Sequence, residues 1–108
     1  MNTRTTNLYP KPNSTAPMRN LTVTSSGTKK FEALPSTFRF DRATKYVFFD
    51  IQDGDVYCTF ANAGFPSGSN GHILKQNTNY WVSVEAAKEA RFLAVSDNVQ
   101  ISASQFTD

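Results

Sequence analysis

Residues 45–60, Lys-Tyr-Val-Phe-Phe-Asp-Ile-Gln-Asp-Gly-Asp-Val-Tyr-Cys-Thr-Phe, carry the densest apolar and aromatic load in the chain. Successive side chains of a strand point to opposite faces, so Tyr46, Phe48 and Asp50 share one face and Val47, Phe49 and Ile51 the other. Apolar residues on both faces predict a central strand between two covered surfaces. Asp53-Gly54 is a hairpin signal, because glycine accepts positive φ. A second strand follows, with Val56, Cys58 and Phe60 on one face and Asp55, Tyr57 and Thr59 opposite. This stretch sets a fold class and encodes no reaction.

The flanking chain repeats the theme. Asn20 to Thr24 alternates polar and apolar residues and predicts a strand. Thr28 to Leu34 predicts a second strand, ended by Pro35. Ser36 to Asp41 is a short strand or an ordered loop that inserts Phe38 and Phe40. Residues 61–71 hold three glycines and a proline and predict a protruding loop. Within it Phe65 is either a plug returning to the core or an exposed contact. His72–Lys75, Tyr80–Val82, Arg91–Val95 and Val99–Ser102 read as further strands, and Ala103–Asp108 as a tail in which Phe106 packs. Ser83 is placed to cap a short helix through Ala90. About eight short strands with turns every 8–12 residues or so predict an all-β fold, a small antiparallel β-sandwich or barrel with at most one short helix.

With 108 residues the chain fits one folded domain. Residues 20–108 are read as that domain and residues 1–19 as an extended basic arm. Pro10, Pro12 and Pro17 disfavour helix and central strand in the arm. Leu8, Tyr9 and Met18 give it too little apolar surface to fold alone, but enough to anchor a strap on a neighbour. Residues 1–30 contain five bases and no acid, whereas residues 31–108 contain six bases and nine acids. A basic arm on a mildly acidic body suits contact with an acidic surface; the alternative is an arm that is merely solvated.

The chemistry-bearing residues are sparse. Cys58 is the only cysteine, so no intrachain disulfide forms. It sits on an apolar strand face, where a free cysteine behaves as a small hydrophobe. His72 is the only histidine, and a hydrolytic triad needs a base beside a nucleophile. One His and one Cys do not make a zinc site. Asp50, Asp53 and Asp55 crowd one turn, but their spacing is not that of an EF-hand loop. No phosphate loop or dinucleotide fingerprint is present. The expectation is therefore a non-enzyme with no catalytic residues, no metal and no cofactor. No apolar run approaches the ~18 residues that span a bilayer, and the first residues lack the apolar segment of a signal peptide. The rings lie in apolar-patterned strands and the body is net negative, which ranks nucleic-acid binding below protein–protein assembly.

Several segments resemble one family. They are Tyr46 to Phe60, Asn70-Gly71-His72-Ile73-Leu74, Asn79-Tyr80-Trp81, Ala86-Ala87-Lys88 and the closing Ile101-Ser102-Ala103-Ser104-Gln105-Phe106. Together they resemble small structural proteins of tailed bacteriophages over roughly residues 30–106. Loops of that family often read Phe-Asp-Gly after the second strand, where this chain has Phe60-Ala61-Asn62-Ala63-Gly64.

The resemblance implies a virion component assembled in the bacterial host cytoplasm, specifically a capsid decoration (cement) protein. Its implied partners are the major capsid protein and copies of itself, with a trimer favoured. The implied contact residues are Arg4, Tyr9, Lys11, Met18 and Arg19 in the arm and Phe65, Ser67 and Asn70 in the loop. Two alternatives stand beside this reading. One is a head-to-tail adaptor or tail component. The other is a host-facing carbohydrate-binding module in which Trp81, Tyr80 or Phe65 stacks on sugar, although core packing is the default for Trp81.

Overall fold

The computed structural model describes residues 10–33, 39–61 and 63–108. Among these, eight strands form two antiparallel sheets: β1 (Lys11–Pro12), β2 (Arg19–Val23), β3 (Tyr46–Gln52), β4 (Val56–Thr59), β5 (His72–Leu74), β6 (Asn79–Ser83), β7 (Arg91–Ala94) and β8 (Val99–Thr107). One helix, α1 (Val84–Glu89), and a 3-10 turn at Phe31–Ala33 complete the regular structure. The first sheet runs β6-β3-β8, with β1 and β2 lying end to end along the far edge of β8. The second runs β5-β4-β7. The fold is the sandwich that the alternating pattern predicts.

Alternation explains which residues fill the space between the sheets. Val47, Phe49 and Ile51 of β3 and Val99, Ile101 and Ala103 of β8 are buried from one side. Val56, Cys58, Phe92 and Ala94 are buried from the other. Phe31 stacks on Phe49 at 5.6 Å between ring centres, and Phe92 meets both rings edge-on. Each ring that leaves water in this way contributes on the order of 2–3 kcal/mol.

The Asp53-Gly54 turn is not a hairpin. β3 pairs with β6 and β8, while β4 pairs with β5 and β7, so the turn carries the chain from one sheet to the other. Asp53 and Gly54 have φ of 71° and 147°, and a Cβ on Gly54 would stand 3.0 Å from Val99 Cγ2. The positive φ at this turn is what Asp-Gly predicts, but the partner of each strand is set by distant residues. The connections β5 to β6, β6 to β7 and β7 to β8 also change sheet.

Three further expectations change. The strand expected over Thr28–Leu34 does not form in its described part, residues 28–33, and Leu34 lies outside the described residues: Lys29 makes an isolated bridge to Phe92, and the chain then tightens into the 3-10 turn that buries Phe31. The expected tail from Ala103 is strand through Thr107, so β8 is the longest strand, with β3 on one side and β1 and β2 on the other. The outward side of β3 is not buried like the inward side: Tyr46 is exposed and Phe48 only half-buried. Phe40 is buried as expected, while Phe38 lies outside the described residues.

Helix α1 follows its sequence signal. The Ser83 hydroxyl accepts a 3.1 Å hydrogen bond from the Ala86 amide. That satisfies one of the donors a helix start leaves open. Ala87 is fully buried, its small side chain letting the helix approach the body closely.

Candidate functional site

Three surfaces place the residues singled out from the sequence. The first is the segment leading into β2. Arg4 and Tyr9 lie outside the described residues, and description begins at Pro10. From there the chain is extended and paired: Lys11 and Pro12 face Thr107 and Phe106, and β2 then faces residues 99–103. Between these strands a buried polar cluster holds it down. The Gln105 side chain accepts from the Asp41 amide (2.8 Å) and the Thr44 hydroxyl (2.9 Å) and donates to the Pro17 carbonyl (3.0 Å). Asn13, also buried, donates to Thr44 Oγ1 (3.0 Å) and Asp41 Oδ1 (3.2 Å). Hydrogen bonds to Ala43 and Asn13 lower the pKa of Asp41. Lys11, Met18 and Arg19 are exposed on this strap, Met18 by 58%.

The second surface is the 61–71 loop, and its sequence explains its order. The Asn70 side-chain amide donates to the carbonyls of Ala63 and Phe65, both at 2.9 Å. Ser67 and Asn70 exchange backbone hydrogen bonds of 2.9 and 3.2 Å across the loop. Gly71 has φ of 114°, and a Cβ there would lie 2.6 Å from the Cys58 carbonyl oxygen, so only glycine fits. Pro66 is buried. Phe65 beside it points out and is 70% exposed, so it is not a plug returning to the core. The Arg91 guanidinium sits 5.1 Å from its ring centre, a cation–π distance.

The third surface is the outward face of the first sheet, of which the sequence singles out Trp81 alone, as the sugar-stacking alternative. Register sets Phe48 opposite Trp81 on β6 and Ser104 on β8, and Tyr46 opposite Ser83 and Phe106. Trp81 lies against both neighbouring rings, 4.8 Å from Phe48 and 4.7 Å from Phe106. It remains 51% exposed, so the default of core packing is overturned. Tyr46 is 37% exposed, and the charge of Asp108, with a hydrogen bond to it, raises its phenol pKa. Two residues farther along each strand the face turns polar: Asn79, Asp50, Ser102 and Asn20 stand side by side. The Ser102 hydroxyl donates to Asn20 Oδ1 at 2.7 Å, and Gln52 Nε2 donates to Asp50 at 2.8 Å. Tyr80 alternates to the inward side, opposite Phe49, and does not belong to this face. The signal lay in the period-two placement of Tyr46, Phe48, Trp81 and Phe106, once β8 is known to continue past Ser102.

The residues considered for chemistry are scattered. Cys58 is fully buried, and burial pushes its thiol up to about 12. Such a thiol stays protonated at neutral pH. His72 is exposed on β5, with Phe60 6.2 Å away between ring centres. Asp50 faces out from the first sheet, whereas Asp55 is spent on the β5–β6 turn. It accepts from the Gln76 amide at 2.8 Å and Lys75 Nζ at 3.2 Å, and both bonds lower its pKa. Among the described residues no group of His, Cys, Asp or Glu converges as a metal site would require. A surface recess of about 370 Å³ opens between residues 40–45 and α1. Its wall mixes Asp41 and Glu85 with Arg42, Lys45 and Lys88, so no single sign of charge selects a ligand. No described helix is long and apolar enough to cross a membrane. Comparison of the chain with protein-family models, with curated proteins and with solved structures finds no match.

Proposed function

We propose that the protein is a structural subunit of a tailed-phage particle, a decoration protein that seats on the head shell through residues 1–19 and the 61–71 loop. Its neighbours in this reading are the major capsid protein and further copies of itself. The observation that carries it is Phe65. A phenyl ring 70% exposed on a loop fixed by four hydrogen bonds is pre-ordered for contact, because little entropy is lost when it docks. The motif residues Asn70 and Gly71, which carry part of the phage resemblance, are the ones that hold this loop in shape. The exposed strap with Lys11, Met18 and Arg19 supplies a second, basic contact. Many weak copies of such contacts across a lattice add up through avidity.

Copy number in purified particles, from quantitative mass spectrometry, tests the reading. Many copies spread over the shell are expected. One ring at a single vertex would make the protein an adaptor, and absence from particles would end the proposal. Phe65→Asp is expected to lower shell occupancy by about tenfold, a loss of ~1.4 kcal/mol per contact, at unchanged melting temperature. Truncation to test the arm has to stop before Pro10, since β1 and β2 are part of the sheet.

A further inference from the structure

We infer that the outward face of the β6-β3-β8 sheet binds a neutral oligosaccharide. This goes beyond shell attachment, which uses the loop and the strap. The face has two halves of different chemistry. Trp81, Phe48 and Phe106 make one continuous aromatic surface, with ring centres 4.7 to 6.5 Å apart. One pleat repeat away, about 7 Å at ~3.4 Å per residue, stand Asn79, Asp50 and Ser102. A sugar ring has the matching duality: its C–H face packs on an aromatic ring, and its rim of hydroxyls both donates and accepts. Amides and hydroxyls do both as well, and a carboxylate accepts.

Charge selects among the possible occupants. Asp50 is the only charged side chain at the outward register positions of β2, β3, β6 and β8, and none of these positions holds a base. Nucleic acids and sulfated or phosphorylated glycans are held by Lys and Arg, so this face disfavours them. Size argues against a second copy of the chain. The rings lie on three adjacent strands and span about two strand spacings by one pleat repeat, roughly 10 by 7 Å. A stable protein interface needs ~800 Å² from each partner. The polar half beside the rings is already hydrogen-bonded, Ser102 to Asn20 at 2.7 Å, and gives a dimer little apolar area to add.

The test uses the whole 108-residue chain, and Trp81, as its only tryptophan, reports from within the site. Its emission is followed while maltohexaose, cellohexaose, chitohexaose or, as a charged control, a heparin hexasaccharide is added. A saturable change with at least one neutral hexasaccharide and none with heparin is expected. Asn79→Ala and Asp50→Ala are each expected to weaken that binding by about tenfold, the equivalent of ~1.4 kcal/mol, with the melting temperature kept. Phe65→Asp should leave it intact, which separates this site from the shell contact. No response to any neutral sugar at millimolar concentration overturns the inference. So does a response to heparin alone. Emission that shifts with protein concentration, without sugar, assigns the face to self-association instead and likewise overturns it.

Discussion

Phe48 and Phe49 are neighbours in the chain and opposites in the fold. Phe49 is fully buried, stacked on Phe31 and edge-on to Phe92. Phe48 is half-buried and forms, with Trp81 and Phe106, a surface that water still reaches. The same strand therefore packs the core on one side and presents a partly exposed aromatic surface on the other. The difference teaches that aromatic density alone does not mark a core. What matters is whether a second layer lies opposite, and only the inward side of β3 faces the β5-β4-β7 sheet.

The sharpest way to break this contrast is a pair of truncations. Phe49→Ala is expected to cost about 3–5 kcal/mol, as large-to-small changes in packed cores do. Phe48→Ala should cost only about 1 kcal/mol, because less area leaves water there. Urea unfolding of both variants measures the gap, and equal losses would mean that the outward face is core.

Residues 105 and 106 of β8 test the contrast in reverse, with the polar side chain inside and the ring outside. Gln105→Leu is expected to destabilise by about 1–3 kcal/mol, because the Asp41 amide, Thr44 and the Pro17 carbonyl lose their partner in a buried site. It should also loosen residues 10–18, visible as faster amide exchange at Asn13. Phe106→Ala should change stability less, with its effect confined to the emission of Trp81.

A smaller effect concerns pH. Asp41 and Asp55 both have lowered pKa values, held by hydrogen bonds to the charged form. A carboxylate whose folded pKa lies below its unfolded value stabilises the fold above that unfolded value, near 3.8. The contribution is then lost as pH falls through the folded value. Stability should thus be flat near neutrality and decline below about pH 4. Asp55→Asn should flatten part of that decline, and urea midpoints between pH 2 and 7 measure it. The smallest effect expected at neutral pH is at Cys58. With its thiol at about 12, the folded protein should resist alkylation and react only on unfolding, as a timed thiol assay would record.

Much of this architecture was legible in the sequence. β3 showed itself because Val47, Phe49 and Ile51 alternate without a break, and α1 because Ser83 precedes an alanine-rich turn. The sheet assignment of β3 and β4 was not legible, since Asp53-Gly54 specifies only that the chain reverses. The alternating pattern ends the predicted final strand at Ser102, because Ser104 and Gln105 look like tail residues. In fact Ser104 faces outward, and Gln105 is buried with its side-chain oxygen accepting two hydrogen bonds and its nitrogen donating one. That shortening hid Phe106, and with it the aromatic face. Phe65 could be located on its loop, but its exposure depends on Asn70 reaching back to Ala63, a contact that no local pattern encodes.

The contrast between the two faces rests most directly on the accessibility of Trp81. Acrylamide quenching of its fluorescence, followed over a dilution series so that self-association is separated from burial within the chain, reads that property. A red-shifted emission quenched nearly as well as in the urea-unfolded chain is expected. A blue-shifted emission that stays protected from acrylamide at every dilution would overturn that contrast, because Trp81 would then be part of the core.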